Sequence, residues 1–222
     1  VLDNFATVKE AVSELKKEKF VVVTAKMPTQ DRLATLHLAI SDNAGDSAIF
    51  EYVEGKLVIH HDKKYQVMTN SPIFEKQLAL EEYWKNIGGT NQLPGTNRSA
   101  DRFARASFYI NAIPKSSDIR IAQASVMSVM RNVSVPYGIT TKDQPNISST
   151  RWRTVADQKN LIYFFDSALA PNTFWVNLKD LDFSAKTGKV LKLDLGPEQR
   201  TIYSGNVVKD LKESKPFVFM GI

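Results

Sequence analysis

Residues 36–61 read LHLAISDNAGDSAIFEYVEGKLVIHH, and this stretch decides the fold. In its first part leucine and isoleucine alternate with histidine, alanine and serine, which is the period of two that a half-buried β-strand shows. Two short polar turns then lead into the strand-like runs 47–53 (SAIFEYV) and 56–61 (KLVIHH). Short alternating runs separated by tight turns predict an antiparallel meander.

Signals for further elements lie on both sides of this meander. Residues 7–10 (TVKE) have the form of a capping box and predict a short amphipathic helix. An apolar strand is predicted at residues 20–25 and a fourth strand of the meander at 65–69. Candidate N-caps predict three helices in the middle of the chain, and they are Ser71 (before Pro72), Ser99 and Ser117-Asp118. Four more strands are predicted at residues 152–156, 161–166, 173–178 and 190–195.

The order of helix, strands, helices and strands predicts an α+β fold, with helices packed on antiparallel sheets. The chain has 222 residues, of which 43% are hydrophobic and 24% charged, and this length suffices to bury a sizeable core. No internal repeat or linker divides the sequence, so we expect one domain over residues 1–222.

Composition excludes several classes of function. The chain contains no cysteine, so a disulfide, a thiolate zinc site and a cysteine nucleophile within these residues are all excluded. The three histidines have no metal-ligand spacing, and we expect neither a metal nor a cofactor. No apolar run of about eighteen residues is present, so no membrane span is predicted. The net charge of +5 is not clustered, which disfavours nucleic acid as a partner.

Asn70 is the first residue that the fold alone does not explain. It lies in the sequence Thr69-Asn70-Ser71-Pro72, where a predicted strand runs directly into a helix. Ser71 suffices as the helix cap, so Asn70 has no evident structural duty. A side-chain amide at the end of a strand can donate a hydrogen bond into a cleft, as an oxyanion hole requires. The alternative is an Asx-turn in which the asparagine bonds its own backbone.

Arg102 is the second such residue. It lies in the first turn of a predicted helix, where a cation opposes the helix dipole. Asp101 is spaced to pair with Arg105, whereas the residues at the same helical spacing from Arg102 carry no acidic group. We therefore expect Arg102 to reach another element or a substrate. The alternative is an arginine that is simply solvated.

Several stretches together resemble the choloylglycine hydrolase family, which includes bile salt hydrolases and penicillin V acylases. The similarity runs nearly end to end, and TRWRT with the following DQKN and IYFF resembles the Gram-negative branch more than classical Gram-positive bile salt hydrolases. The stretches are LHLAISDNAGDSAIFEYVEGKLVIH from Leu36, YQVMTNSPIFEKQL from Tyr65, LPGTNRSADRFARASFY from Leu93 and STRWRTVADQKNLIYFFDS from Ser149.

The resemblance implies the αββα four-layer sandwich of N-terminal-nucleophile hydrolases. It also implies an N-terminal cysteine that attacks a linear amide, with its own α-amino group as the base. The asparagine of the family's TN-P motif corresponds to Asn70, in the oxyanion hole. The arginine of its P-G…S-x-x-R-F motif corresponds to Arg102, which would steady the nucleophile and the developing charge.

The same resemblance places the cysteine, and an arginine and aspartate that follow it, before Val1. We therefore expect residues 1–222 to be the C-terminal portion of a single domain, inactive alone, whose partner is the segment or chain carrying the cysteine. Implied substrates are small-molecule amides, namely conjugated bile salts, penicillin V or N-acyl homoserine lactones. A homo-oligomer, and a periplasmic or cytoplasmic location in a bacterium, remain open.

Two other classes of function are the alternatives. A non-catalytic α+β binding module would keep the fold without the chemistry, and would occur as a lone 222-residue product. A weakly basic nucleic-acid binder would show salt-sensitive binding of oligonucleotides.

Overall fold

The computed structural model describes residues 1–19, 36–143, 147–184, 186–196 and 198–218, which form two compact units, Val1–Pro114 and Lys115–Ile222. The predicted strand at residues 20–25 lies outside the described residues. The order of helix, strands, helices and strands is confirmed.

The first unit is built on the predicted meander. Strands β1 (Leu38–Ser41), β2 (Ser47–Val53) and β3 (Lys56–His61) form an antiparallel sheet in the order β1-β2-β3. In the register of the central strand, Ile49 lies opposite His60. The alternation at residues 36–61 therefore predicted the three strands and their pairing.

Helix α1 (Val8–Leu15) packs on one face of this sheet, where Val8 contributes to a buried cluster with Ala48 and Phe50 of β2. The predicted capping box is present, and its side chains bond free backbone N–H groups at the start of the helix. The Val8 N–H also donates to the Asp42 carboxylate at 3.0 Å. This bond foremost, with others in the turn, holds the pKa of Asp42 below its ordinary value.

Two helices, α2 (Phe74–Ile87) and α3 (Ser99–Ala112), cover the opposite face of the sheet. Ile49, which alternates with the two β2 residues facing α1, is buried against Phe74 and Phe103 of these helices. Because both faces of β2 are covered, its centre is buried on both sides, unlike a half-buried strand.

The segment at residues 65–69 is not the predicted fourth strand. Side chains hold both of its ends where a neighbouring strand was expected: the Ser47 hydroxyl donates to the Tyr65 carbonyl at 2.7 Å. At the other end, the buried Gln77 amide accepts from the Thr69 N–H and donates to its carbonyl, at 3.2 and 2.9 Å. An apolar run of five residues did not reveal these partners in the sequence.

The expected N-caps of α2 and α3 were also wrong. Helix α2 begins at Phe74, after a cis Ser71-Pro72 bond, and the Phe74 N–H donates to the buried Glu51 carboxylate of β2 at 2.9 and 3.2 Å. Ser99 is the first residue of α3, and its hydroxyl accepts from the Ser71 N–H at 2.8 Å. Long-range partners thus replace the local caps.

The second unit combines one helix with a four-stranded sheet. Helix α4 (Ile119–Asn132) begins at the predicted cap, because the Asp118 carboxylate accepts from the Arg120 N–H at 2.9 Å. The sheet has the order β4-β5-β6-β8. Its strands are β4 (Trp152–Asp157), β5 (Ile162–Ser167), β6 (Thr173–Asn177) and β8 (Gly205–Asn206).

Neighbours in this sheet run antiparallel except for β6 and β8, which form a short parallel pair that the sequence did not predict. The predicted strand at 190–195 shortens to β7 (Val190–Lys192), which pairs with β9 (Lys212–Ser214). Across the described ranges, no helix is long and apolar enough to cross a membrane.

A buried carboxylate ties α4 to the sheet of the second unit. Asp166 of β5 is 4% exposed and accepts from Arg131 of α4 and Arg153 of β4, each at 3.0 Å. Burial by itself raises the pKa of Asp166, but the two guanidinium groups and the Thr173 hydroxyl outweigh it, so the pKa is lowered. The carboxylate is therefore charged and paired in the folded unit.

Candidate active site

Asn70 and Arg102 meet in the first unit. The Nη2 atom of Arg102 donates to the Oδ1 atom of Asn70 at 2.9 Å. Asn70 follows the irregular segment after β3, and Arg102 lies in the first turn of α3. The structure therefore brings together the two residues that the sequence left without a structural duty.

The residues on both sides of Asn70 hold its backbone in place. Gln77, which is fully buried on α2, bonds both backbone groups of Thr69. The Thr69 hydroxyl donates to the Ser99 carbonyl at 3.0 Å, and the Ser71 N–H donates to the Ser99 hydroxyl. The chain around Asn70 is therefore fastened to the starts of α2 and α3, while the Asn70 side chain itself is exposed.

Arg102 is a half-buried cation held by neutral oxygens. Besides Asn70, its Nε atom donates to the Asn97 carbonyl at 3.2 Å. Within the described part of the chain it forms no ion pair, as its lack of an acidic helical neighbour had suggested. Burial, and then the nearby charge of Arg105, lower the pKa of Arg102 from its ordinary value. The guanidinium stays charged, because arginine side chains are not deprotonated in proteins.

The expected pair of Asp101 with Arg105 does not form. Arg105 is buried and donates to the carbonyls of Pro94 and Thr96, at 2.7 and 2.9 Å. The Asp101 carboxylate accepts from the Thr96 hydroxyl instead. Both residues therefore stabilise the loop before α3. Helical spacing alone did not reveal that the partners of Arg105 are backbone carbonyls of this loop.

The contact with Arg102 fixes the orientation of the Asn70 amide. A guanidinium only donates hydrogen bonds, so the oxygen of the amide must face Arg102 and the nitrogen must face away. Among the residues that the structure describes, Nδ2 of Asn70 has no acceptor. An exposed amide N–H that is oriented in advance, next to a half-buried cation, is chemically suited to bind a developing negative charge.

Sequence reasoning missed two buried polar residues behind this pair, Glu51 and Gln77. A signal for Glu51 was present, because period two puts it on the same face of β2 as Ile49, and an acid on a core-facing position needs a partner. Gln77 gave no such signal, because an isolated glutamine in a helix is usually exposed. Within the described residues, no group of three or more acids and histidines is arranged so that it could hold a metal ion.

A known family and several known proteins are similar to this chain. Residues 1–191 match the family of linear amide C–N hydrolases, the choloylglycine hydrolase family. A penicillin V acylase from Pectobacterium atrosepticum is 56% identical over all of this chain, which spans 62% of that relative's length.

Solved structures give the same result. A penicillin V acylase from Agrobacterium tumefaciens is 62% identical, with a TM-score of 0.89 over all of this chain and 67% of its own. A mutant of a conjugated bile acid hydrolase from Clostridium perfringens, 21% identical with a TM-score of 0.65 over all of this chain and 66% of its own, shares the fold.

These matches confirm the predicted α+β fold class of the N-terminal-nucleophile hydrolases. The chain belongs to the choloylglycine hydrolase family of linear amide C–N hydrolases. Within that family, it is a homologue of penicillin V acylases.

Proposed function

We propose that this chain supplies the oxyanion-binding half of an amidase that cleaves small linear amides by way of a cysteine nucleophile. The observation that carries the proposal is the Asn70–Arg102 contact, which turns an exposed amide nitrogen outward beside a half-buried cation. The chain has no cysteine, so the thiolate comes from polypeptide outside these 222 residues.

In the proposed reaction, the thiolate attacks the carbonyl carbon of the substrate amide, and the carbonyl oxygen takes up the negative charge. Nδ2 of Asn70 donates a hydrogen bond to that oxygen, and the Arg102 charge stabilises it further. The C–N bond then breaks, the nitrogen leaves with a proton from the α-amino group of the cysteine, and water hydrolyses the thioester.

The relatives favour one substrate class. The two matches at 56% and 62% identity are penicillin V acylases, whereas the bile acid hydrolase is 21% identical and supports the fold alone. We therefore place penicillin V, an amide between an apolar aryloxyacetyl group and a polar amine, ahead of conjugated bile salts and N-acyl homoserine lactones.

Mass spectrometry of the natural protein, followed by hydrolysis assays with a set of amides, tests this function. We expect these residues to occur with a segment that begins with cysteine, and that assembly to release the free amine from penicillin V. Alkylation of the thiol should abolish the release. A folded protein that binds penicillin V without turnover, and that contains no cysteine, would instead establish a non-catalytic binding module.

A further inference from the structure

A histidine lies directly behind Asn70. The Nε2 atom of His37 is 2.5 Å from the backbone carbonyl oxygen of Asn70. A carbonyl oxygen only accepts hydrogen bonds, so Nε2 must carry the proton and donate it. His37 precedes β1 in the chain, 33 residues before Asn70, and so this bond joins the sheet to the loop that carries the candidate oxyanion donor.

The other side of the His37 ring faces a buried carboxylate. Nδ1 of His37 lies 2.8 Å from Oε1 of Glu51, within ion-pair distance although the two atoms are not aligned as a hydrogen bond. The Glu51 side chain is 2% exposed, and it is fixed in turn by the Phe74 N–H at the start of α2. His60 lies farther off, with Nε2 3.5 Å from Oε2 of Glu51.

The bond from His37 completes the restraint on the loop. Thr69 is held by Gln77 and Ser71 by Ser99, and both of these partners belong to helices. The carbonyl of Asn70 is the remaining backbone acceptor between them, and His37 is its partner. The Asn70 carbonyl and the Ser71 N–H belong to the same peptide unit, so its rotation would break the bonds to both His37 and Ser99, which fix the backbone that carries the Asn70 side chain.

We propose that His37 is a positioning residue, which acts through the backbone of Asn70 and has the Glu51 carboxylate beside its other ring nitrogen. The inference rests on the proposed function, because it gives His37 a role in catalysis only if Asn70 binds the oxyanion. His37 touches neither substrate nor nucleophile in this role. A small displacement of a catalytic group suffices to slow a reaction strongly, so loss of the bond is costly even where the fold survives.

His61 provides a matched control. It lies on β3 in the same unit, and its Nε2 atom is 2.9 Å from the Asp46 carboxylate, in the turn before β2. A histidine-to-phenylalanine change there removes one hydrogen bond of the ring, but none to the loop that carries Asn70. It therefore measures the cost of losing a histidine that has only a structural contact.

The experiment is a double-mutant cycle in the complete enzyme, including the cysteine-bearing segment, with kcat expressed per titrated thiol. We expect His37→Phe to lower kcat about tenfold or more, with KM changed by less than about twofold. His61→Phe should leave kcat unchanged. His37→Gln should recover much of the loss, because the glutamine amide nitrogen can take the place of Nε2, whereas His37→Asn is too short and should not.

The decisive arm is the Asn70→Ala background, where His37→Phe should have no further effect on kcat. If the two effects multiply instead, His37 does not act through Asn70 and the inference is overturned. If Asn70→Ala alone leaves kcat unchanged, the proposed function of Asn70 fails. Should His37→Phe not fold, the comparison of His37→Gln with His37→Asn decides, and equal kcat values would overturn the inference.

Discussion

The amide oxygen of Asn70 and a guanidinium nitrogen of Arg102 are 2.9 Å apart, although 32 positions of the chain separate the two residues. One lies on a loop between sheet and helix, and the other on a helix start. Neither has a carboxylate partner among the described residues. The contact therefore leaves the amide NH₂ group of Asn70 and a positive charge together at the surface of the first unit.

Replacement of Asn70 tests the outward-facing amide nitrogen. In the complete enzyme, we expect Asn70→Ala to lower kcat about a hundredfold or more, the usual cost of one oxyanion donor. Asn70→Asp should be as damaging, because a carboxylate has no N–H to donate and repels the oxyanion. Steady-state kinetics with penicillin V measures both. An unchanged kcat in either variant would exclude the oxyanion role.

Replacement of Arg102 by lysine keeps the charge and removes the planar fork. Arg102 donates to the Asn97 carbonyl and to Asn70 from two different nitrogens, a geometry that a single ammonium group does not reproduce. We expect kcat to fall about tenfold or more in Arg102→Lys, since the amide loses its fixed orientation. Arg98→Lys, an exposed change just before α3, is the control and should retain full activity.

Replacement of Gln77 tests the restraint before Asn70. Gln77→Leu fits the buried site in size but leaves the backbone groups of Thr69 and the Pro72 carbonyl without their partner. We expect the free energy of unfolding to fall by about 2 to 3 kcal/mol, measured by urea denaturation. Gln92→Leu on an exposed loop should stay within about 0.5 kcal/mol of the parent protein. If Gln77→Leu lowered the free energy of unfolding as little as Gln92→Leu, water would be replacing the hydrogen bonds of Gln77.

Acid should weaken the second unit through Asp166. The folded pKa of this carboxyl is lowered, so its contribution to stability is present above the ordinary aspartate pKa and is lost as pH falls through the lowered value. Asp166→Asn should cost about 3 kcal/mol at neutral pH, because two arginines lose their carboxylate. Thermal unfolding between neutral and acid pH should show a shallower acid dependence in the variant. Parallel pH curves would contradict the assignment.

Elements with a strong local signal were predictable from the sequence. The alternation at residues 36–61 gave the three strands of the first sheet, and the capping box at Thr7 and the aspartate at 118 gave two helix starts. In each case the deciding interaction joins residues a few positions apart, or repeats along one strand. Local sequence is sufficient where the partner is local.

Elements whose partners lie far away in the sequence were not predictable. Glu51 caps α2 from 23 residues upstream, and Gln77 bonds both backbone groups of Thr69 at the end of the predicted strand. Likewise, the absence of an acidic helical neighbour left Arg102 either with a distant partner or simply solvated, and it did not identify Asn70. The family resemblance named both residues, and their contact emerged from the structure.

The Glu51 carboxylate also affects how the first unit folds. A 14-residue helix is marginal in water without outside help, and the first N–H of α2 bonds an acid from the central strand. An isolated peptide of residues 74–87 should therefore be mostly unstructured, and attaching the preceding hairpin should raise its helicity. Sheet and helix then form as one cooperative unit, so local melting of either would also release the loop between them.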